Sequence, residues 1–133
     1  MLSRIKLMLP DKVDLLKDKH IAIFGLGGVG GYTLESLIRS GIENIDIYDF
    51  DTIDVSNINR QLIADSQTVG KKKVDVWVQR AKLINPSINI NGFNMFIDST
   101  NIDTIDFSKY DYVVDAIDSL KPVLKEFIKK VER

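Results

Sequence analysis

The sequence has no cysteine and only one histidine and three prolines in 133 residues. Without cysteine these residues hold no disulfide framework, zinc ribbon, thiolate nucleophile or iron–sulfur cluster. No apolar run approaches the roughly 20 residues that a membrane-spanning helix needs. Residues 1–10 interleave Leu, Ile and Met with Arg4 and Lys6, so the expected chain neither spans a membrane nor carries a secretory leader. An excess of charge is also lacking: 18 Lys and Arg stand against 19 Asp and Glu, for a net charge of −1. Domains that track nucleic-acid phosphates usually carry a basic excess or stripe, so this balance argues against a dominant footprint of that kind and leaves room for a local basic pocket. What is present is one globular domain, 44% hydrophobic, long enough to bury roughly two-thirds of its unfolded surface.

The apolar periodicity alternates between short runs and 3.6-residue stripes, the pattern of a parallel sheet with crossover helices. Ile21-Ala-Ile-Phe24 is a continuous apolar run ending in glycines and reads as a strand buried on both faces. A helix over 28–40 carries Leu34, Leu37 and Ile38 on one face, with Gly41 placed to stop it. Ile45-Asp-Ile-Tyr48 is a second strand. The polar stretch 50–70 reads as a long loop with at most one helical turn, and loops of that length in compact domains usually serve a function. A second helix over 71–85, with Val74, Trp77, Val78, Ala81 and Ile84 on one face, ends before Pro86. A third strand begins at Ile88-Asn-Ile90 and extends towards Phe96, and a fourth is Tyr112-Val-Val114. A last helix follows, with Pro122 in its first turn. Right-handed crossovers then give a Rossmann-like, doubly wound α/β sheet of order 3-2-1-4. This order leaves the apolar Val113 and Val114 on an edge strand, so further strands are expected beside it.

Gly25-Leu-Gly-Gly-Val-Gly30 follows the first strand and opens a helix, the context in which glycines let backbone approach a phosphate at a helix N-terminus. An acidic residue that accepts from ribose hydroxyls is expected about 20 residues on. Asp49 lies 19 residues beyond Gly30. The glycine pattern alone also fits a tight turn that binds nothing. With strand, helix and Asp49 in place it favours a nucleotide without choosing among NAD, FAD and ATP.

The choice comes from further elements: Asp49-Phe-Asp51, Ser56-Asn-Ile-Asn-Arg-Gln61, Val69-Gly70 with Lys73, and Asp115-Ala-Ile-Asp118. In this order after the glycine loop they resemble the ubiquitin-activating-enzyme-like superfamily, which includes the ThiF and MoeB adenylyltransferases. Gly27-Gly-Val-Gly30, Asn57-Ile-Asn-Arg-Gln61 and Asp115-Ala-Ile-Asp-Ser119 look most like its tRNA threonylcarbamoyladenosine dehydratase branch. ThiF and MoeB usually carry Thr-Asp-Asn where this chain has Ile117-Asp-Ser119. The resemblance implies a cytoplasmic, homodimeric enzyme that uses ATP and Mg²⁺ to convert a carboxylate into an acyl-adenylate. It implies Arg60 and Lys73 on the phosphates, Asp118 on the metal, and Arg4 reaching into the partner's active site. Gly25, Gly27, Gly28, Gly30, Asp49, Asp51, Asn57 and Gln61 are then the nucleotide-binding set.

Each residue has a plainer alternative. Arg60 also fits a solvated loop arginine, and Asp118 a helix cap. Lys71, Lys72 and Lys73 fall in the predicted first turn of a helix, where cations oppose the macrodipole by about 0.3–1 kcal/mol. A polyphosphate beside Lys73 would compensate, whereas Lys71 and Lys72 read as exposed. Asp51 and Asp54 fit turn roles as well as ligand contacts. His20 is expected to be a partly exposed residue at the start of the first strand, and Trp77 a core residue.

The acceptor implied by the branch is the threonylcarbamoyl group on adenosine 37 of tRNA. The alternative is the C-terminal glycine of a ubiquitin-like sulfur carrier. An NAD-dependent oxidoreductase shares the glycine loop and Asp49 but gives Arg60, Lys73 and Asp118 no common task. Superfamily members carry about as much sequence again after the Asp118 motif, so residues 1–133 are expected to be one nucleotide-binding domain, incomplete at its C-terminus. A neutral charge here then does not exclude tRNA, whose surface would lie mostly in the other half.

Overall fold

In a computed structural model, which describes residues 18–117, four strands form one parallel sheet: β1 (His20–Phe24), β2 (Asn44–Asp49), β3 (Asn89–Asn94) and β4 (Tyr112–Asp115). Their order is β3-β2-β1-β4, as the sequence predicts. Ile23 of β1 is in register with Ile47 on one side and Val114 on the other. Ile21, Ala22, Ile23 and Phe24 are completely buried, because β1 is central and covered on both faces.

Helices α1 (Gly28–Arg39) and α2 (Lys73–Ile84) pack on one face. Leu34, Leu37 and Ile38 of α1 meet Val74, Trp77 and Ala81 of α2 over Ile21, Ile23, Ile45 and Ile47. Trp77 is in the core, as expected. Gly41 takes φ +95° just past α1, a left-handed conformation that a side chain would strain. Arg80 donates from Nε and Nη2 to the two oxygens of Glu35 at 2.6 and 2.7 Å, tying α2 to α1. This bond, against the opposing effect of burial, holds the Glu35 carboxyl below its ordinary value.

Two boundaries differ from the sequence reading. β3 spans Asn89–Asn94 and stops short of Phe96. α2 starts at Lys73, with Lys72 as its N-cap, so only one of the three lysines is helical and the macrodipole argument applies to Lys73 alone. On the edge strand Val114 is buried and Val113 half-buried. The helix predicted around Pro122 falls outside the described residues. No helix among the described residues is long and apolar enough to cross a membrane.

The second face is covered by the β3-to-β4 connection, which has no apolar period and forms two 3-10 turns, Ile102–Thr104 and Phe107–Lys109. Phe107 and Tyr110 from this connection pack on Phe24 and Tyr48. Beneath it lies Asp46, only 2% exposed. The Tyr110 hydroxyl donates to its Oδ2 at 2.6 Å and Asn91 Nδ2 to its Oδ1 at 3.0 Å, while Lys109 Nζ and His20 Nε2 stand 3.5 and 3.4 Å away. His20 is partly exposed, as predicted, but faces this buried carboxylate. Burial raises the pKa of Asp46, yet the bonds from Tyr110 and Asn91 and the neighbouring His20 outweigh it and leave the carboxyl below its ordinary 3.8. A depressed carboxyl contributes stability above its unfolded value and loses it as pH falls through the folded one. Asp46→Asn is therefore expected to lessen the fall in stability on acidification to about pH 3, read by urea denaturation. Tyr110→Phe, which leaves the buried carboxylate without its hydroxyl donor, is expected to cost about 1–3 kcal/mol at neutral pH.

Candidate functional site

The loop from Gly25 to Gly30 joins β1 to α1 at the carboxyl ends of the strands, where open α/β sheets bind ligands. Its glycines divide into two kinds. At Gly25, with φ +95°, a Cβ would lie 2.8 Å from the Ala116 carbonyl oxygen, and at Gly30 a Cβ would lie 1.9 Å from that of Gly25. These two are needed for the loop to close on itself. At Gly27 and Gly28 a Cβ would meet nothing nearer than 3.9 Å, so the space beside them is open. Gly27 is also the N-cap of α1 and supplies no side-chain acceptor, leaving N–H groups of the first turn for a ligand.

Asp49 ends β2 and ties two segments together. Its Oδ2 accepts from Leu26 N and its Oδ1 from Asp51 N, each at 2.7 Å. Each oxygen keeps a second lone pair, so the carboxylate can still accept from a ribose hydroxyl.

Residues 50–72 leave β2 and return to it. Asp54 caps the 3-10 turn Val55–Asn57: Ser56 N donates to its Oδ2 at 2.9 Å, while Asp54 N donates to Asn57 Oδ1 at 2.8 Å. Asp54 thus has the turn role. Asn57, 7% exposed, accepts from the same turn at Oδ1 and keeps its two side-chain N–H groups as donors for a ligand. Arg60 is exposed and donates from Nη1 to Ser56 O at 2.8 Å. Gln61 Oε1 is buried with no hydrogen-bond partner among the described residues. The loop closes where Thr52 pairs antiparallel with Lys72 and Gly70 N donates to Ile53 O at 2.8 Å.

That closure sets Lys73 against Asp51. Lys73 N donates to Asp51 O at 3.1 Å, and Lys73 Nζ stands 3.8 Å from Asp51 Oδ2. Lys73 is 5% exposed, whereas Lys71 and Lys72 are in solvent. The sequence distinction among these three lysines corresponds to a difference in burial.

Gly25, Gly27, Asp49, Asp51, Asn57, Arg60, Gln61 and Lys73 line one concavity. A second, lined also by Phe50, Met95, Phe96 and Ile97, shares Gly25, Asp49, Asp51 and Ile117 with it. The site thus has a polar chamber with two cations and an apolar chamber, joined at Asp49. Phe50 and Phe96 are each more than half exposed, and their rings meet edge-on with centroids 6.2 Å apart. The apolar chamber was missed in the sequence. Its signal was positional: Phe50 and the run 95–97 each directly follow a strand. Gly28, at the start of α1, faces the Arg60 carbonyl of the 50–72 segment, while Gly30 packs on Gly25 and Ala116. Arg4 and Asp118 lie outside the described residues, among which no group of three or more His, Cys, Asp or Glu is placed to hold a metal.

The polar chamber has the chemistry for a polyphosphate and the apolar one for a planar base. The ThiF family profile matches residues 2–126. The tRNA threonylcarbamoyladenosine dehydratase of Haemophilus influenzae is 46% identical over 116 residues, 87% of this chain and 44% of that protein. The molybdopterin-synthase adenylyltransferase of Escherichia coli is 34% identical over 110 residues, 83% of this chain and 44% of that protein. The crystal structure of the E. coli dehydratase TcdA in complex with ATP superposes with a TM-score of 0.86 at 33% identity, covering 98% of this chain and 54% of that one. The chain thus spans less than half the length of these two curated relatives. On the profile match and the shared architecture, the chain belongs to the ThiF family.

Proposed function

We propose that this chain is the nucleotide-binding portion of an ATP-dependent adenylate-forming enzyme that activates the carboxylate of threonylcarbamoyladenosine in tRNA for cyclising dehydration. One observation carries the reading: a buried lysine, Lys73, and an arginine, Arg60, converge on the concavity beside the open glycines Gly27 and Gly28. That concavity adjoins an apolar slot through Asp49, a ribose acceptor. The polar chamber matches a triphosphate, the apolar one an adenine, and Asp49 between them a ribose. The orphaned Gln61 Oε1 and the uncapped first turn of α1 are unmet hydrogen-bonding groups, one beside Gly27 and the other beginning at it.

In the proposed reaction a substrate carboxylate oxygen attacks the α-phosphorus of ATP, the bond to the bridging oxygen breaks, and pyrophosphate leaves. Negative charge grows on the leaving group. Arg60, whose planar guanidinium can make paired bonds to phosphate oxygens, and Lys73, whose ammonium sits in a poorly solvated place, oppose that charge. The glycine-loop N–H groups hold phosphate without adding a flexible side chain. Mg²⁺, when bound, supplies further neutralisation of the phosphates, and Asp118 is its proposed ligand. No protein nucleophile is required, in keeping with a chain that has no cysteine. A nucleophilic atom of the same threonylcarbamoyl group then attacks the activated carboxyl carbon, loses its proton and expels AMP, which carries off one carboxylate oxygen, so the elements of water leave as the difference between AMP plus pyrophosphate and ATP. We extend the proposal to a cytoplasmic homodimer in which Arg4 contributes across the interface.

The test is ATP–pyrophosphate exchange by the intact protein, run separately with threonylcarbamoyl-modified tRNA and with a ubiquitin-like carrier protein. Exchange that needs the modified tRNA is the expected result. Exchange that needs the carrier would move the protein to the sulfur-carrier adenylyltransferases, and tight NADH binding without ATP binding would overturn both readings.

A further inference from the structure

Lys73 is an unusual place for a charge. It is 5% exposed, and its one ion-pair partner among the described residues, Asp51, stands at 3.8 Å with its own side chain 72% exposed. The contact is too long for a good charge-assisted hydrogen bond, which lies at about 2.7–2.9 Å. The backbone of Asp51, by contrast, is fixed on both sides: its N–H donates to Asp49 Oδ1 at 2.7 Å and its carbonyl accepts from Lys73 N at 3.1 Å. A firmly held backbone thus presents a solvated carboxylate to a buried ammonium, within the chamber that also contains Arg60.

We propose that Asp51 is a placeholder counterion: it neutralises Lys73 while the chamber is empty and is displaced when phosphate oxygens arrive. Asp51 is then a positioning residue that acts through Lys73, not a contact to ribose or metal. This rests on the nucleotide reading above and gives it a sign. A carboxylate that must be pushed aside by a triphosphate opposes binding. A carboxylate that holds ribose or metal favours it.

The experiment measures dissociation constants of the full chain for ATP, AMP and adenosine by calorimetry, with EDTA and again with Mg²⁺, for wild type, Asp51→Asn, Lys73→Met and the double variant. Asp51→Asn keeps the shape of the side chain and both backbone bonds. It is expected to tighten ATP binding roughly two- to five-fold, the range of an exposed charge pair, in EDTA as well as in Mg²⁺, and to leave adenosine unchanged. In the Lys73→Met background the same substitution is expected to have a smaller effect, the signature of coupling between the two side chains. Asp51→Glu, which retains the charge, is expected to retain wild-type affinity. Weaker ATP binding by a folded Asp51→Asn overturns the proposal, as does a loss seen only with Mg²⁺, an equal change for adenosine, or full additivity with Lys73→Met. If the wild-type chain binds no ATP, the nucleotide reading itself fails and the placeholder role with it. An Asp51→Asn result of the wrong sign in a chain that does bind ATP defeats only the placeholder.

Discussion

Gly30→Ala is expected to cost about 3 kcal/mol or more, the upper range for overpacking, a large fraction of the roughly 5–15 kcal/mol that holds an ordinary domain folded. The new methyl carbon would sit 1.9 Å from the carbonyl oxygen of Gly25 and 3.2 Å from the Ala116 side chain. No flexible side-chain tip is there to swing away: the obstruction is backbone. To relieve it, the loop would have to move Gly25, whose N–H donates to Tyr48 O at 2.9 Å while Phe24 O accepts from Ala116 N at 2.8 Å. The strain is therefore passed directly into the ends of β1, β2 and β4. Gly27→Ala is the matched control, since its Cβ would find nothing within 3.9 Å. It is expected to change stability by less than about 1 kcal/mol, as a glycine-to-alanine change in an unstrained position does, while weakening ATP binding. Urea denaturation and ATP calorimetry on the two variants separate the roles. Equal stability losses would show that the loop is not divided into closing and open glycines.

The same physical distinction explains what could be read from the sequence. The buried strands and the two helices on one face were legible because each buries apolar residues at a fixed period: Ile21 to Phe24 without a break, and Val74, Trp77 and Ala81 at helical spacing. The β3-to-β4 connection covers the other face without any period, so nothing local marked Ile102, Ile105 or Phe107 as core, although all three are buried. For the same reason Asp46, an acid between Ile45 and Ile47, gave no sign of being buried. Its burial depends on Tyr110, 64 positions away. The polar half of the site was legible because its chemistry demands particular residue types at set spacings. The apolar half was not, since any bulky hydrophobe forms a wall, and Phe50 and Phe96 are brought together only by the sheet order. The lysine run shows the limit of local rules. The helix begins two residues later than its charge pattern suggested, because residues 71 and 72 are used to pair with residues 52 and 53.

Lys73→Met is expected to leave the fold intact and lower the rate of the proposed adenylation by about 10²–10³, the loss typical of removing one group aimed at developing charge. The two halves of this expectation have one cause. With 5% of its surface exposed and, among the described residues, one carboxylate partner at 3.8 Å, the ammonium is poorly compensated by the protein around it. Methionine keeps the unbranched stem that packs at the start of α2 and removes the desolvated charge, so stability is expected to be unchanged or raised. A residue retained for packing would show the opposite pattern, with stability lost and any fall in rate following the unfolded fraction. Arg60, exposed and bonded to Ser56 O, provides the comparison. Arg60→Lys preserves charge but not the paired geometry, so its rate is expected to fall well below wild type with no change in stability. Pyrophosphate exchange at saturating ATP, measured beside the urea midpoint of each variant, decides the matter. A Lys73→Met protein that is less stable yet fully active would show that the buried cation serves the fold, and would leave the polar chamber without its central charge.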